Sequence, residues 1–138
     1  MHRALVLIGL LTIALPCRAS QKVPRDPDHL RRYEIALRHF LAVRHAPQNV
    51  TIYVAIGGAP APPELIDRFR GSRPAVRAWE KDPSILHRYY CAMALGADYG
   101  DECYLVVWGY RRDVLHHYHF KKRRGEWQLL SDEVAYLS

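Results

Sequence analysis

The sequence predicts an α+β domain in which an N-terminal helix packs on a curved antiparallel sheet. Two observations predict it. One long stretch near the N-terminus, residues 29–44, repeats its apolar positions at helical spacing, and from residue 102 onward the apolar residues alternate in short runs separated by charged or glycine-bearing turns. A third, the apolar stretch at the very start, is too short to cross a bilayer as a helix.

That first stretch sets the domain organisation. His2 and Arg3 precede an apolar run from Ala4 to Leu15, Pro16 ends it, and Cys17-Arg18-Ala19 places small residues where signal peptidase needs them. Residues 1–19 therefore read as a secretory signal peptide, with the mature chain starting at Ser20 and residing in the periplasm or outside the cell. A lipoprotein reading, with Cys17 acylated, competes with this, although Ala14-Leu15-Pro16 fits poorly the small residue that such processing wants before its cysteine. Cleavage leaves 119 residues, the size of one domain with a modest core, and no second transmembrane candidate. It also removes two arginines and no acid, so the net charge falls from +6 to +4, an ordinary solubility charge that does not call for nucleic acid.

Residues 20–28 carry two prolines and no periodicity and read as a flexible lead-in to a single domain over 29–138. Leu30, Tyr33, Leu37, Phe40 and Leu41 then mark one face of a helix that Asp26 or Asp28 can cap and that ends before Pro47. Residues 49–56 are dense in β-branched and aromatic side chains and form a strand stopped by Gly57-Gly58. Ala59 to Pro63 is a stiff connector into a short helix over 64–70, with proline in its first turn and Gly71 at its end. Residues 72–84, with Pro74 and Pro83, read as loop with Trp79 turned to the core, and the periodicity of 85–95 fits either strand or helix, with strand preferred. Three strands follow, at 102–110, 114–120 and 126–130, joined by Arg111-Arg112-Asp113 and by the basic turn 121–125.

The helix 29–44, Pro62-Pro63-Glu64-Leu65-Ile66-Asp67-Arg68-Phe69, and Tyr118-His119-Phe120 followed by Arg124-Gly125-Glu126-Trp127-Gln128-Leu129 together resemble the NTF2-like, cystatin-like class of curved-sheet domains. Small exported bacterial proteins share this layout. The resemblance implies a curved sheet able to enclose a pocket; separately, no cofactor is expected.

Cys91 and Cys103 lie 12 residues apart on either side of the turn-rich 96–101. In an oxidising compartment they are expected to form a disulfide, contributing about 3 kcal/mol for so short a loop. Two buried free thiols are the alternative, and the Cys-X-X-Cys of a redox pair is absent. His117 and His119 in His116-His117-Tyr118-His119 share one face of a strand, with His116 on the other, but two imidazoles fall short of the three or four ligands zinc takes, so no metal is expected. Lys121 to Arg124 reads as a solvated turn. Tyr53, Trp108, Tyr110, Tyr118 and Trp127 are candidates for a ligand or partner surface, with core packing the competing use of the same rings. No Gly-X-Ser-X-Gly, Ser/His/Asp arrangement or dinucleotide fingerprint occurs, and Asp98, Asp101 and Asp113 fall in expected turns, so no residue is assigned to catalysis. These readings favour an exported, non-enzymatic binding or accessory domain engaging another envelope protein, with a small-molecule carrier or enzyme built around a pocket in the sheet as the alternative.

Overall fold

The computed structural model of the chain describes residues 26–80, 89–109 and 114–136. The expected signal peptide, Cys17, residues 20–25 of the expected lead-in, Tyr110 and the expected 111–113 turn lie outside these residues.

Helix α1, Pro27–Val43, opens with Asp26 as its cap, whose carboxylate accepts the Asp28 N–H at 2.8 Å while Pro27 occupies the first turn. Leu30, Tyr33, Ala36, Leu37 and Phe40 follow at helical spacing and are all buried. Each large apolar side chain on this stripe contributes about 2 kcal/mol by leaving water, and the stripe lies against the sheet.

Among the described residues the sheet has seven strands: β1 Thr51–Ile56, β2 Ala59–Pro60, β3 Ala75–Ala78, β4 Tyr90–Asp98, β5 Glu102–Trp108, β6 Val114–Arg123 and β7 Glu126–Tyr136. Their order is β2-β1-β4-β5-β6-β7, with β3 paired to β1, so the sheet is open, curved and mostly antiparallel. The β1–β3 and β1–β4 pairs are parallel, while β4 to β7 run as an antiparallel meander. This is the α+β architecture expected from the sequence. A short helix α2, Pro63–Asp67, starts with proline as expected and buries Leu65.

Several boundaries differ from the sequence reading. Residues 75–78, expected as loop, form β3, because Ala75 and Trp79 donate their N–H groups to the Val50 and Val54 carbonyls beside β1. The Ala59-Pro60 connector pairs back on β1 through a tight Gly57-Gly58 turn whose φ angles of 59° and 78° suit glycine. The basic turn is shorter than expected, since Lys121, Lys122 and Arg123 continue β6 opposite Gln128, Trp127 and Glu126, leaving Arg124 and Gly125 at φ 54° and 78° to reverse the chain.

The face of the sheet toward α1 carries Ile52 and Val54, Cys91 and Met93, Cys103, Leu105 and Val107, and His116, Tyr118 and Phe120, each buried. The expected disulfide is not formed: Cys91 and Cys103 are free, buried thiols. The reason is register. The β4–β5 turn closes at residues 99–101, so Cys103 stands opposite Asp98, whereas Cys91 stands seven residues further back, opposite Val54. Seven strand residues span roughly 20 Å, far beyond the Cα separation of about 7 Å that a bridge tolerates.

Candidate binding groove

Outside the helix–sheet core, α1, α2 and the segment leading into β3 meet at the surface. Glu34 organises this corner: its carboxylate, largely buried, accepts from Arg31 at 2.8 Å, from Arg38 at 3.4 Å and from Arg68 at 3.3 Å. One carboxylate thus gathers three guanidinium groups. Arg38 also donates to the Arg68 carbonyl at 2.8 Å and stacks 4.4 Å over the Phe69 ring. Phe69 is itself buried, Gly71 at φ 75° ends the turn after α2, and buried Pro74 leads into β3.

Two open grooves result. One, of about 270 Å³, is lined by Arg38, Leu41 and Ala42 of α1, Gln48, and Phe69, Ser72, Arg73 and Pro74. The other, of about 620 Å³, runs from α2 along β3 and is lined by Ile66, Asp67, Phe69, Arg70, Ser72, Arg73, Val76 and Arg77, among others. They share Phe69, Ser72 and Arg73, so they form one continuous depression with an apolar floor and a cationic rim. Four arginines line it against one carboxylate, Asp67, which pairs with Arg70 at 3.1 Å. Arg73 and Arg77 are exposed and have no partner among the described residues.

The residues singled out in the sequence distribute differently. Tyr53 and Trp108 share the face of the sheet away from α1, since Ala55 stands in register with Ala92 and Ala92 with Trp108. Tyr118 and Trp127 are buried on the opposite face. The described aromatic candidates therefore do not make one surface. His117 and His119 do lie on one face, opposite His116, but His119 hydrogen-bonds Glu102 and stacks on Tyr104 at 4.4 Å while His117 is exposed. Among the described residues no group of three or more His, Cys, Asp or Glu side chains is placed to hold a metal ion.

A polar cluster that the sequence did not signal lies inside the helix–sheet interface. The Asp132 carboxylate bridges His116 Nδ1 at 2.8 Å and His39 Nε2 at 3.1 Å, linking β6, β7 and α1. Tyr118 packs against both imidazoles, with ring centroids 5.4 Å from His39 and 5.8 Å from His116. His116 Nε2 and the Tyr118 hydroxyl are buried without a hydrogen-bond partner, and burial, with the nearby Asp132 charge, raises the Tyr118 pKa. At the other end of α1, the fully buried Arg32 donates to Asp98 at 3.2 Å and lies 4.8 Å from the Trp127 ring. Cys103 borders this pair, and burial pushes its thiol, like that of Cys91, above the ordinary value. Among the described residues no helix is long and apolar enough to cross a membrane. Compared with protein-family models, curated proteins and solved structures, the chain matches none.

Proposed function

We propose that the chain is an exported, non-enzymatic binding or accessory domain, of the NTF2-like curved-sheet kind, that engages another envelope protein. The observation that carries this reading is the open groove beside α2 and β3, with exposed arginines above an apolar floor of Phe69, Val76 and Leu41. Its shape suits an extended protein segment better than an enclosed small molecule, because bound ligands of that kind are usually buried over most of their surface. Side chains of α1 and the sheet pack together in the interior beneath it.

A small-molecule carrier or enzyme is the second reading, and the unpartnered His116 Nε2 and Tyr118 hydroxyl beside Asp132 favour it. A photo-crosslinking side chain placed at Arg73 in the exported protein separates the two. The binding reading expects a discrete protein adduct from living cells at that position and none from the same probe at His117 on the far face. No adduct at Arg73, together with a small molecule that copurifies and is lost on His116→Ala, would replace it with the second reading.

A further inference from the structure

Resting on that reading, we infer that the groove recognises an extended acidic segment of the partner, which adds alongside β3 and places its carboxylates on Arg73 and Arg77. Three features of this corner point the same way. The first is backbone. Among the described residues β3 pairs with β1 alone. Ala75 and Trp79 direct their N–H groups to β1, and in a parallel strand successive residues alternate sides, so Val76 and Ala78 point theirs away from it. An edge with free donors and acceptors is the template on which an extended chain adds as a further strand.

The second is charge. The larger groove runs along that edge and is rimmed by Arg70, Arg73 and Arg77. Arg70 is satisfied by Asp67, whereas Arg73 and Arg77 are without a partner among the described residues. A guanidinium offers a planar fork that a carboxylate accepts in bidentate fashion. Arg73 and Arg77 are exposed, so the price of ordering them is met only when an acid arrives.

The third is what the groove lacks. Single-stranded nucleic acid needs aromatic faces on which bases stack, and the one aromatic ring in the floor, Phe69, is already covered by Arg38 at 4.4 Å. The other basic run, Lys121 to Arg124, lies on the β6–β7 hairpin, where Lys122 is spent on Asp28 at 2.9 Å. For an anionic membrane, basic and exposed apolar side chains should share one flat patch. Most of the exposed large apolar side chains, Leu95, Tyr99, Tyr104, Leu130, Val134 and Tyr136, lie on the β4–β7 meander instead.

The test uses the purified mature chain and a random heptapeptide display library. Selection should enrich sequences with Asp or Glu at alternate positions. A labelled enriched peptide should bind with an affinity that falls about tenfold or more when its acids become Gln, when Arg73→Gln and Arg77→Gln are introduced together, or when salt is raised from 50 to 500 mM. Methylation of alternate peptide nitrogens should weaken binding as well, which a purely electrostatic contact would not show. Both arginines are exposed, so the double variant is expected to fold, and an unchanged melting temperature verifies it. Enrichment of neutral or basic sequences, no enrichment, or binding indifferent to the two substitutions overturns the inference. So does arginine-dependent binding of a single-stranded DNA 20-mer or of phosphatidylglycerol vesicles in place of the peptide. If selection fails while a probe at Arg73 still captures a discrete protein, the acidic segment is wrong and the binding role stands.

Discussion

Replacing Asp98 by Asn tests whether Arg32 is held as a buried cation. The Arg32 side chain is about 1% exposed, its Nε and one terminal nitrogen have no partner, and its one ion pair is to Asp98, whose side chain is 30% exposed. Removing one member of a fully buried pair costs about 3–5 kcal/mol, because the other charge is left unpaired. Water reaching Asp98 lowers that, so about 2–3 kcal/mol is expected for Asp98→Asn. In a domain of this size a loss of 1 kcal/mol lowers the melting temperature by about 4–8 °C. Arg32→Met removes the desolvated charge with its partner still able to reach water, and should fall within about 1 kcal/mol of wild type even after losing the contact with Trp127. The double variant should recover most of the loss seen in Asp98→Asn alone. Acid reports the same pair. Burial opposes ionisation of Asp98, but the Gly100 N–H and Arg32 outweigh it and hold its pKa below the ordinary 3.8. A depressed carboxyl stabilises the fold above its unfolded pKa, and that contribution is lost as pH falls through the folded value. Wild type should therefore lose stability below about pH 4, with a shallower acid limb in Asp98→Asn. Urea melts of the four proteins at pH 7 and across pH 2–6 decide it. An Asp98→Asn variant within about 0.5 kcal/mol of wild type, or a double variant as unstable as the single, would refute the reasoning.

Gly109→Ala should destabilise by about 1–3 kcal/mol, since a Cβ there would sit 2.6 Å from the buried Phe40 ring; thermal melts read the loss, and Phe40→Leu should restore part of it. Cys91 and Cys103 should be unreactive to a thiol reagent in the native protein and both reactive in denaturant, with peptide mapping under non-reducing conditions finding no linkage between them. Asp132→Ala should cost about 1–3 kcal/mol by leaving His116 without a partner on either ring nitrogen, a larger loss in urea melts than His39→Ala, whose imidazole is 35% exposed.

The helix was legible because Leu30, Tyr33, Leu37 and Phe40 repeat at one period and the acid preceding Pro27 can cap it. The β5–β7 strands were legible from alternation in the same way. Ala75 to Ala78 escaped because four residues, two of them alanine, are too few for alternation to stand out beside Pro74. Lys121 to Arg123 look like a solvated turn in isolation, yet each stands opposite a β7 residue, with Arg123 facing Glu126 and Lys122 facing Trp127. The cysteine pairing failed for a related reason: spacing gives the loop length but not where the turn closes, and Gly100 at φ 87° closes it beside Cys103. The groove carried no local signature at all. Arg70 ends the expected short helix, Arg73 and Arg77 lie in an aperiodic stretch, and Arg38, which covers its floor, comes from a helix some thirty residues earlier.

Polar contacts at two points along α1 bear on how that groove is held. Arg32 and His39 are seven residues apart, two helical turns, and so lie one above the other on one side of α1, beside Ala36 at the margin of the apolar stripe. Each meets a carboxylate from a different strand, Asp98 at the end of β4 and Asp132 on β7. Apolar burial is non-directional, so the stripe alone would fit the sheet in more than one rotation or slide. The Arg32 guanidinium paired to β4 and the His39 imidazole paired to β7 cannot both keep their partners after a shift of one residue, which moves each side chain by about 100° around the helix axis. Fixing that register also fixes Arg38, one position beyond Leu37, at the angle from which it reaches the Arg68 carbonyl and lies over Phe69. The buried polar pairs thus connect the core to the groove: their contribution to stability is small or negative as isolated charges go, and what they supply is the single seating of α1 that the cationic rim requires.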